Sequence, residues 1–127
     1  MKLVPKKSLG QNFLLNKIII QKIVELGEIS EKNVVIEIGP GTGSLTEEII
    51  KKKPKKFFAI EKDKNLYLQL KQKFKSNLEI INEDVLNINW YKFSKNERCI
   101  VFGNLPYNIS AKILINWIKL NNLNILF

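Results

Sequence analysis

An amide, a proline and an aromatic ring follow one another directly after an apolar stretch of this sequence. The stretch Asn104-Leu-Pro-Tyr107 comes after residues 99–102, which have the composition of a buried strand. The Asn104 side chain and the Leu105 carbonyl could accept hydrogen bonds from the amino group of a planar base. Pro106 would stiffen the loop without adding a competing N–H, and Tyr107 could stack on the base. We therefore consider all four residues candidates for catalysis at an amino nitrogen, with a plain strand-to-helix turn in which Tyr107 packs on the core as the alternative.

A glycine-rich stretch follows an earlier apolar run. Residues 34–38 are nearly all apolar, and Gly39, Gly41 and Gly43 come after them at alternate positions. Glycine allows a sharp turn and the close approach of a ligand to the backbone. A dinucleotide-binding fold would favour Gly-x-Gly-x-x-Gly, so only the first two glycines fit that motif. Gly39 and Gly41 are predicted to contact a cofactor, and a tight turn without a ligand is the alternative.

Three acidic residues lie at the ends of predicted strands. Glu61, 20 residues beyond Gly41, could accept hydrogen bonds from both hydroxyls of a ribose. Asp84 could bind the amino group of an adenine, with the backbone of Val85 contacting a ring nitrogen. Glu37 could contact the glycine loop or the ammonium group of a cofactor. The alternatives are a solvated loop acid for Glu61 and a helix cap for Asp84.

The elements that must position these residues can be predicted from the apolar pattern. Strands are predicted at residues 34–38, 56–60, 78–81 and 99–102 and from residue 124, and helices at 17–26, 44–53, 64–75 and 110–120. The predicted helix caps are Asn16, Ser44 with Glu47, and Ser110. Strands that alternate with helices indicate an α/β fold with a parallel, doubly wound sheet. Because ligands bind beyond the carboxyl ends of such strands, the candidate residues are expected to meet at one edge.

Composition limits the partners and the chemistry. The chain has 127 residues, which allows one domain, and carries 21 basic against 12 acidic residues, a net charge of +9. This charge favours a polyanion such as RNA, although a lysine-rich composition is also typical of AT-rich genomes. The lysine cluster at residues 51–56 is either part of such a contact or a solvated turn. Without histidine, the chain lacks the commonest general base and metal ligand, so no metal is expected.

The single cysteine, the first eight residues and the length of the apolar runs indicate where in the cell the protein resides. The single cysteine, Cys99, lies in an apolar run, where a buried thiol is expected, and it suits a reducing cytoplasm. Residues 1–8 lack the apolar core of a secretory signal, and no apolar run is long enough to predict a transmembrane helix. A cytoplasmic protein without a membrane partner is the expectation.

Three motifs in order carry a resemblance to a known family. They are residues 8–14 (Ser-Leu-Gly-Gln-Asn-Phe-Leu), 37–43 (Glu-Ile-Gly-Pro-Gly-Thr-Gly) and 103–110 (Gly-Asn-Leu-Pro-Tyr-Asn-Ile-Ser). With them the chain resembles, over essentially its whole length, the ribosomal RNA adenine dimethyltransferases known as the kasugamycin-resistance family. Its Asn-Leu-Pro-Tyr stretch is also similar to the Asn/Asp-Pro-Pro-Tyr motif of methyltransferases that act on planar amino nitrogens. The resemblance implies a Rossmann-like fold that binds S-adenosylmethionine.

The resemblance also implies roles and a reaction. Asn12 and Leu14 would fold over the S-adenosylmethionine site, and Gly39, Glu61, Asp84 and Asn104 would join them in binding that cofactor. Two methyl groups would be transferred in sequence to the amino nitrogen of each of two adjacent adenines near the 3′ end of small-subunit ribosomal RNA, during ribosome biogenesis. The partner would be that RNA or the pre-ribosomal small subunit, and the enzyme is expected to be a monomer.

Members of the resembled family continue beyond this length. Residues 1–127 would then be an incomplete N-terminal catalytic domain, C-terminally truncated, without the last strands and a helical RNA-engaging domain. Three alternatives stay open: a macrolide-resistance methylase of large-subunit RNA, a non-catalytic RNA-binding fragment and a nicotinamide-dependent dehydrogenase. Residues 8–10 and 103–110 favour the small-subunit family over the first alternative, while the glycine spacing and the Asn104–Tyr107 stretch argue against the last.

Overall fold

The computed structural model describes residues 16–75, 77–94, 97–120 and 125–126. Strands and helices alternate along the chain, as the apolar pattern predicts. The strands are β1 (Val34–Ile38), β2 (Lys56–Ile60), β3 (Glu79–Ile81), β4 (Cys99–Gly103) and β5 (Ile125–Leu126). The helices are α1 (Lys17–Leu26), α2 (Ser44–Lys51), α3 (Lys64–Lys73), α4 (Tyr91–Ser94) and α5 (Tyr107–Lys119), with a 3-10 turn at Val85–Asn87.

All strand pairs are parallel, in the order β3-β2-β1-β4-β5. In this register Val34 lies beside both Lys56 and Cys99, so the central strands begin at the same level. The chain builds outward from β1 to β3 on one side and then crosses back to β4 on the other. A parallel sheet has its ligand crevice where this order reverses, beyond the carboxyl ends of β1 and β4. The predicted parallel α/β sheet is confirmed.

Apolar side chains cover both faces of the sheet, which makes it doubly wound. All five residues of β1 are buried, as the nearly continuous apolar run of a central parallel strand requires. On one face, α1 and α2 contribute Ile20, Val24, Leu45 and Ile49, which pack with Val35, Phe57, Ile100 and Phe102. On the other face, Ile113 of α5 packs with Trp90, Phe93, Val34, Ile36 and Val101. Strand β1 is therefore packed between two helical layers, and the glycine loop follows directly at its carboxyl end.

The predicted caps differ in outcome. Asn16 caps α1 as expected, since its Oδ1 accepts hydrogen bonds from the backbone of Ile18 at 3.0 Å and Ile19 at 3.3 Å. The capping box predicted at Ser44 and Glu47 is wrong: Gly43 is the N-cap of α2, no side-chain hydrogen bond caps the helix, and the helix ends at Lys51. The left-handed turn at Gly43 leads straight into the helix, so Ser44 is already its first residue.

Helix α5 also begins earlier than predicted. It starts at Tyr107 with Pro106 as its N-cap, and the Ser110 hydroxyl donates back to the Tyr107 carbonyl at 3.0 Å instead of capping the helix. Proline has a fixed φ that suits the entry to a helix. The apolar spacing of this helix predicts that Ile113, Leu114, Trp117 and Ile118 point inward. Ile113 is buried, whereas Leu114 and Ile118 are 40% and 80% exposed. The buried position of Cys99 is confirmed, and burial raises the pKa of its thiol to about 12.

Candidate functional site

The glycine loop turns sharply at the carboxyl end of β1. Gly39, Gly41 and Gly43 have φ values of 65°, 60° and 88°, a region that other residues adopt only at a cost. The Gly39 amide donates to the Ile60 carbonyl at 2.9 Å, and the Gly43 amide donates to the Pro40 carbonyl at 2.9 Å. These bonds fix the loop against the end of β2, so its backbone lies beside the next candidate, Glu61.

Glu61 is only 4% exposed and is held by backbone amides on two sides. Its Oε2 accepts from the Gly41 amide at 3.2 Å, and its Oε1 accepts from the Asp63 amide at 2.9 Å. Burial raises the pKa of this carboxyl and the charge of Asp63 adds to the rise, while hydrogen bonds from the backbone of Asp63, Gly41 and Lys62 oppose it without cancelling it. The structure thus brings Glu61 and Gly41 together, as their spacing suggested.

Glu37 is 2% exposed and bonds to the helix that follows the glycine loop. The Thr46 hydroxyl, in the first turn of α2, donates to Glu37 Oε2 at 2.6 Å. Desolvation raises the pKa of Glu37 to about 8; the Thr46 bond opposes this rise and the charge of Glu61 adds to it. At neutral pH the carboxyl is therefore protonated. Its described hydrogen bond goes to α2, whereas the sequence suggested the glycine-loop backbone.

Asp84 follows β3 and has two described partners. Its Oδ2 pairs with Lys62 Nζ at 2.8 Å, and its Oδ1 accepts from the Leu86 amide at 3.0 Å. The Lys62 bond is the main reason that the pKa of this carboxyl is lowered. Asp84 is thus the helix cap that the sequence allowed as an alternative, and Val85, the buried first residue of that turn, follows it. Contact of either residue with an adenine stays a prediction.

The Asn104–Tyr107 stretch forms the loop between β4 and α5. The Tyr107 side chain is 88% exposed, so the alternative in which it packs on the core is wrong. Leu105 packs against the apolar cluster that includes Val101 and Ile113, and its Cδ2 would lie 3.5 Å from a Cβ added at Gly39. The loops after β1 and β4 therefore meet, with Asn104 half-buried between the strand and the exposed ring.

Two predicted site residues, Asn12 and Leu14, lie outside the described residues, together with the motif at residues 8–14. Their contact with a cofactor stays a prediction. Within the described part of the chain, no cluster of three or more histidine, cysteine or acidic side chains could hold a metal ion. No helix in that part is long and apolar enough to cross a bilayer.

Sequence reasoning missed three residues that order the site. Thr46 bonds to Glu37, Lys62 pairs with Asp84, and the Asn82 amide group donates to the Glu61 carbonyl at 2.8 Å. Asn82 has a local signal, because it directly follows the predicted third strand. Lys62 and Asp84 lie 22 residues apart, and Thr46 follows Glu37 by nine residues in the next element, so neither pair falls within one local pattern.

Comparison with known proteins places these features in a family. The family model described as ribosomal RNA adenine dimethylase matches residues 4–126. A ribosomal RNA small subunit methyltransferase A from Pelagibacter ubique is 51% identical over 89% of this chain, and one from Ureaplasma urealyticum is 43% identical over 95%. The chain spans 42% and 46% of those two relatives, less than half of their length.

Solved structures share this fold. The 23S rRNA methyltransferase ErmE superposes with a TM-score of 0.72 at 30% identity, covering 84% of this chain and 42% of ErmE. A dimethyladenosine transferase from Plasmodium falciparum gives a TM-score of 0.74 at 28% identity, covering 88% of this chain and 40% of that one. The resemblance carried by the three sequence motifs is confirmed, and the chain belongs to the ribosomal RNA adenine dimethylase family.

Proposed function

We propose that this chain is the cofactor-binding and base-binding part of an S-adenosylmethionine-dependent methyltransferase that dimethylates adenines of small-subunit ribosomal RNA. The observation that carries this proposal is the meeting of two loops at the carboxyl edge. Leu105 of the Asn104–Tyr107 loop lies next to the glycine loop that Glu61 holds, since a Cβ added at Gly39 would be 3.5 Å from Leu105 Cδ2. A cofactor and a base bound at these two loops would be neighbours.

The residues at the glycine loop fit the adenosine part of S-adenosylmethionine. Each oxygen of the Glu61 carboxylate accepts one backbone amide, and a carboxylate oxygen has room for two hydrogen bonds. The Lys62 backbone also hydrogen-bonds this carboxylate, so of its four acceptor positions one would remain for a ribose hydroxyl. A Cβ at Gly39 would meet only Leu105 at an ordinary contact distance, so the backbone there is open to a ligand. Asp84, with one oxygen shared with Lys62, would hold the adenine amino group.

The Asn104–Tyr107 loop fits a planar base. The exposed Tyr107 ring offers a stacking surface, and Asn104 and the Leu105 carbonyl would accept the two hydrogens of an adenine amino group. The lone pair of that nitrogen is delocalised into the ring, so the nitrogen is a poor nucleophile. Two such hydrogen bonds favour a pyramidal nitrogen, whose lone pair then points away from the ring. S-Adenosylmethionine supplies an activated methyl group on a sulfonium.

Positioning would contribute most of the catalysis in this site. Holding reacting groups in line lowers the barrier by removing their translational and rotational freedom. The chain has no histidine, and a strong base is unnecessary if the proton leaves after the methyl group has transferred. Glu37, protonated and bonded to Thr46, would remain uncharged behind the cofactor.

The finer assignment concerns the target. We infer that the target is two adjacent adenines near the 3′ end of small-subunit RNA, modified during ribosome assembly. Relatives named small subunit methyltransferase A support the small-subunit target, whereas the likeness to ErmE, named a 23S rRNA methyltransferase, supports a large-subunit alternative. The identity is higher to the former group, which favours the small subunit.

A transfer assay separates these targets. The 127-residue chain would be incubated with radiolabelled S-adenosylmethionine and with either small or large ribosomal subunits that lack the modification. We expect label in small-subunit RNA as dimethyladenosine. Label in large subunits alone would replace the small-subunit assignment with the large-subunit one. Absence of transfer to either, with saturable cofactor binding, would restrict the proposal to the cofactor site.

A further inference from the structure

A lysine-rich turn lies at the end of the sheet opposite to the candidate site. Helix α2 ends at Lys51 and β2 begins at Lys56, so the lysines between them occupy the turn at the amino end of β2. The Lys55 amide donates to the Asn33 carbonyl at 2.9 Å. This bond fixes the turn beside the amino end of β1, and the lysine side chains extend from there into solvent.

The connections that enter β1 and β4 bring further basic residues to this edge. Lys32 precedes β1 and Arg98 precedes β4, and the register places the first residues of β1, β2 and β4 side by side. The basic rim is defined here as the exposed basic residues of these three connections. They are Lys32, Lys52, Lys53, Lys55, Lys56 and Arg98.

Charge is segregated between the two edges of the sheet. The three connections, at residues 27–33, 52–56 and 97–98, hold the six basic residues of the rim against three acidic ones, Glu28, Glu31 and Glu97, and Lys55 pairs with Glu97. The loops after β1 to β4, at residues 39–43, 61–63, 82–84 and 103–106, hold four acidic residues and one lysine. The carboxyl edge would therefore repel phosphates, and the amino edge would attract them.

An RNA substrate needs its phosphate charge compensated by the protein that binds it, and this term supplies most non-specific affinity. The described loops of the candidate site carry more acidic than basic residues, and Lys73, which donates to the Thr42 carbonyl, is paired with Glu47, so these loops provide little of that compensation. We propose that the basic rim binds the phosphate backbone of the RNA whose base enters the carboxyl edge. The phosphate-binding rim and the reaction site would then lie at opposite ends of strands that are about 16 Å long. This inference rests on the proposed function only in its choice of RNA.

A lipid surface is the competing polyanion. Segments that bind membranes usually combine basic residues with exposed apolar side chains that enter the lipid. Within the described residues the three rim connections carry no exposed large apolar side chain, and Phe57, next to Lys56, is buried; Leu26, at the end of α1, is a single exposed apolar side chain before the first connection. The surface is therefore suited to phosphates in water, which favours RNA.

Salt-dependent RNA binding tests this proposal. Affinity for a fluorescein-labelled oligouridylate would be measured by anisotropy over a range of KCl concentrations. The rim variant is Lys52→Gln/Lys53→Gln/Lys56→Gln. The control, Lys22→Gln/Lys64→Gln/Lys119→Gln, removes the same charge from exposed positions on α1, α3 and α5. A third variant, with arginine at the three rim positions, retains the charge.

The rim variant is expected to bind roughly tenfold more weakly at moderate salt. The slope of log affinity against log salt should flatten by about 2, since each single-strand phosphate contact contributes about 0.7. The control should retain the wild-type slope, and the arginine variant should bind like the wild type. Equal losses in the rim and control variants would overturn the proposal, as would an unchanged rim variant. Rim-dependent binding to phosphatidylserine vesicles with unchanged RNA binding would overturn it in favour of a membrane.

The cofactor site provides an independent readout. S-Adenosylmethionine affinity should be the same in the wild type and the rim variant, because the rim and the glycine loop lie at opposite edges. If none of them binds the cofactor, the proposed function fails while the RNA data still decide the role of the rim. If the rim variant alone loses cofactor binding, its substitutions disturb the fold. The RNA affinity of the arginine variant, which retains the charge, then shows whether the rim binds RNA.

Discussion

At the scale of single residues, Tyr107 separates base binding from cofactor binding. Its ring is 88% exposed and begins α5, so truncation removes little packing. Tyr107→Ala is expected to lower kcat/KM for methyl transfer roughly tenfold to a hundredfold, since stacking of a base on an aromatic ring contributes about 1–3 kcal/mol. Cofactor affinity and thermal stability should stay at wild-type values.

Tyr107→Phe is the matched control, because it retains the stacking ring and removes only the hydroxyl. It should transfer methyl groups at close to the wild-type rate. Transfer by Tyr107→Ala as fast as by the wild type would show that the base does not stack there.

Glu37 predicts a pH dependence of stability. Its pKa is about 8 in the folded chain against 4.5 for an ordinary carboxyl, so the folded state retains a proton that the unfolded state has lost. The contribution of Glu37 is complete below pH 4.5 and is lost as pH rises through 8. Between these values the free energy of unfolding should fall by about 1.4 kcal/mol per pH unit from this group.

Glu37→Gln is expected to remove much of that slope, because glutamine resembles the protonated carboxyl and can still accept the Thr46 hydroxyl bond. Urea denaturation of both proteins at several pH values between 5 and 8 measures the difference. The raised pKa of Glu61 adds a slope of the same sign to both. Parallel curves for the two proteins would contradict the buried, protonated state of Glu37.

At the scale of elements, the turn from β1 into α2 depends on Gly43. Its φ is 88°, and a Cβ there would lie 2.6 Å from the Phe74 ring. Gly43→Ala is expected to destabilise the fold by about 2–3 kcal/mol, through backbone strain and overpacking together. The loss would appear as a lower midpoint of urea denaturation.

Gly39→Ala is the control, because it introduces backbone strain without steric overlap between the new Cβ and a neighbouring side chain. Its φ is 65°, but a Cβ would meet only Leu105 at 3.5 Å. It should cost about 1 kcal/mol. Equal losses of stability in Gly43→Ala and Gly39→Ala would show that the Phe74 ring moves aside at no cost in free energy.

The elements also show how far local sequence patterns determine structure. Strands β1 and β4 follow from apolar runs that only a buried parallel strand accommodates. Ser44 and Ser110 are residues of a type that favours the N-cap, yet Gly43 and Pro106 are the N-caps of those two helices. Ile118 and Leu26 have helical spacing but are 80% and 81% exposed. Spacing defines a helix face and does not show which surface covers it.

At the scale of the whole molecule, the sequence predicts which edge of the sheet would carry the site. It does not predict the hydrogen bonds between the residues of that site. Parallel strands end at one edge, so Glu61, Asp84 and Asn104 had to lie near one another. The bonds from Gly41 to Glu61 and from Thr46 to Glu37 depend on the tilt of α2 and the depth of each side chain. Such contacts arise only when the sheet and both helical layers are assembled.

Calorimetric titration of S-adenosylmethionine into the 127-residue chain and into its Glu61→Ala variant tests the central claim most directly. Glu79→Ala, which removes an exposed acid at the amino end of β3, is the control. We expect saturable binding by the wild type and the control. Glu61→Ala should bind at least about tenfold more weakly, since hydrogen bonds to a charged group contribute about 1.5–3 kcal/mol. Equal affinity in all three proteins, or no binding by the wild type, would contradict the assignment of this edge as the cofactor site.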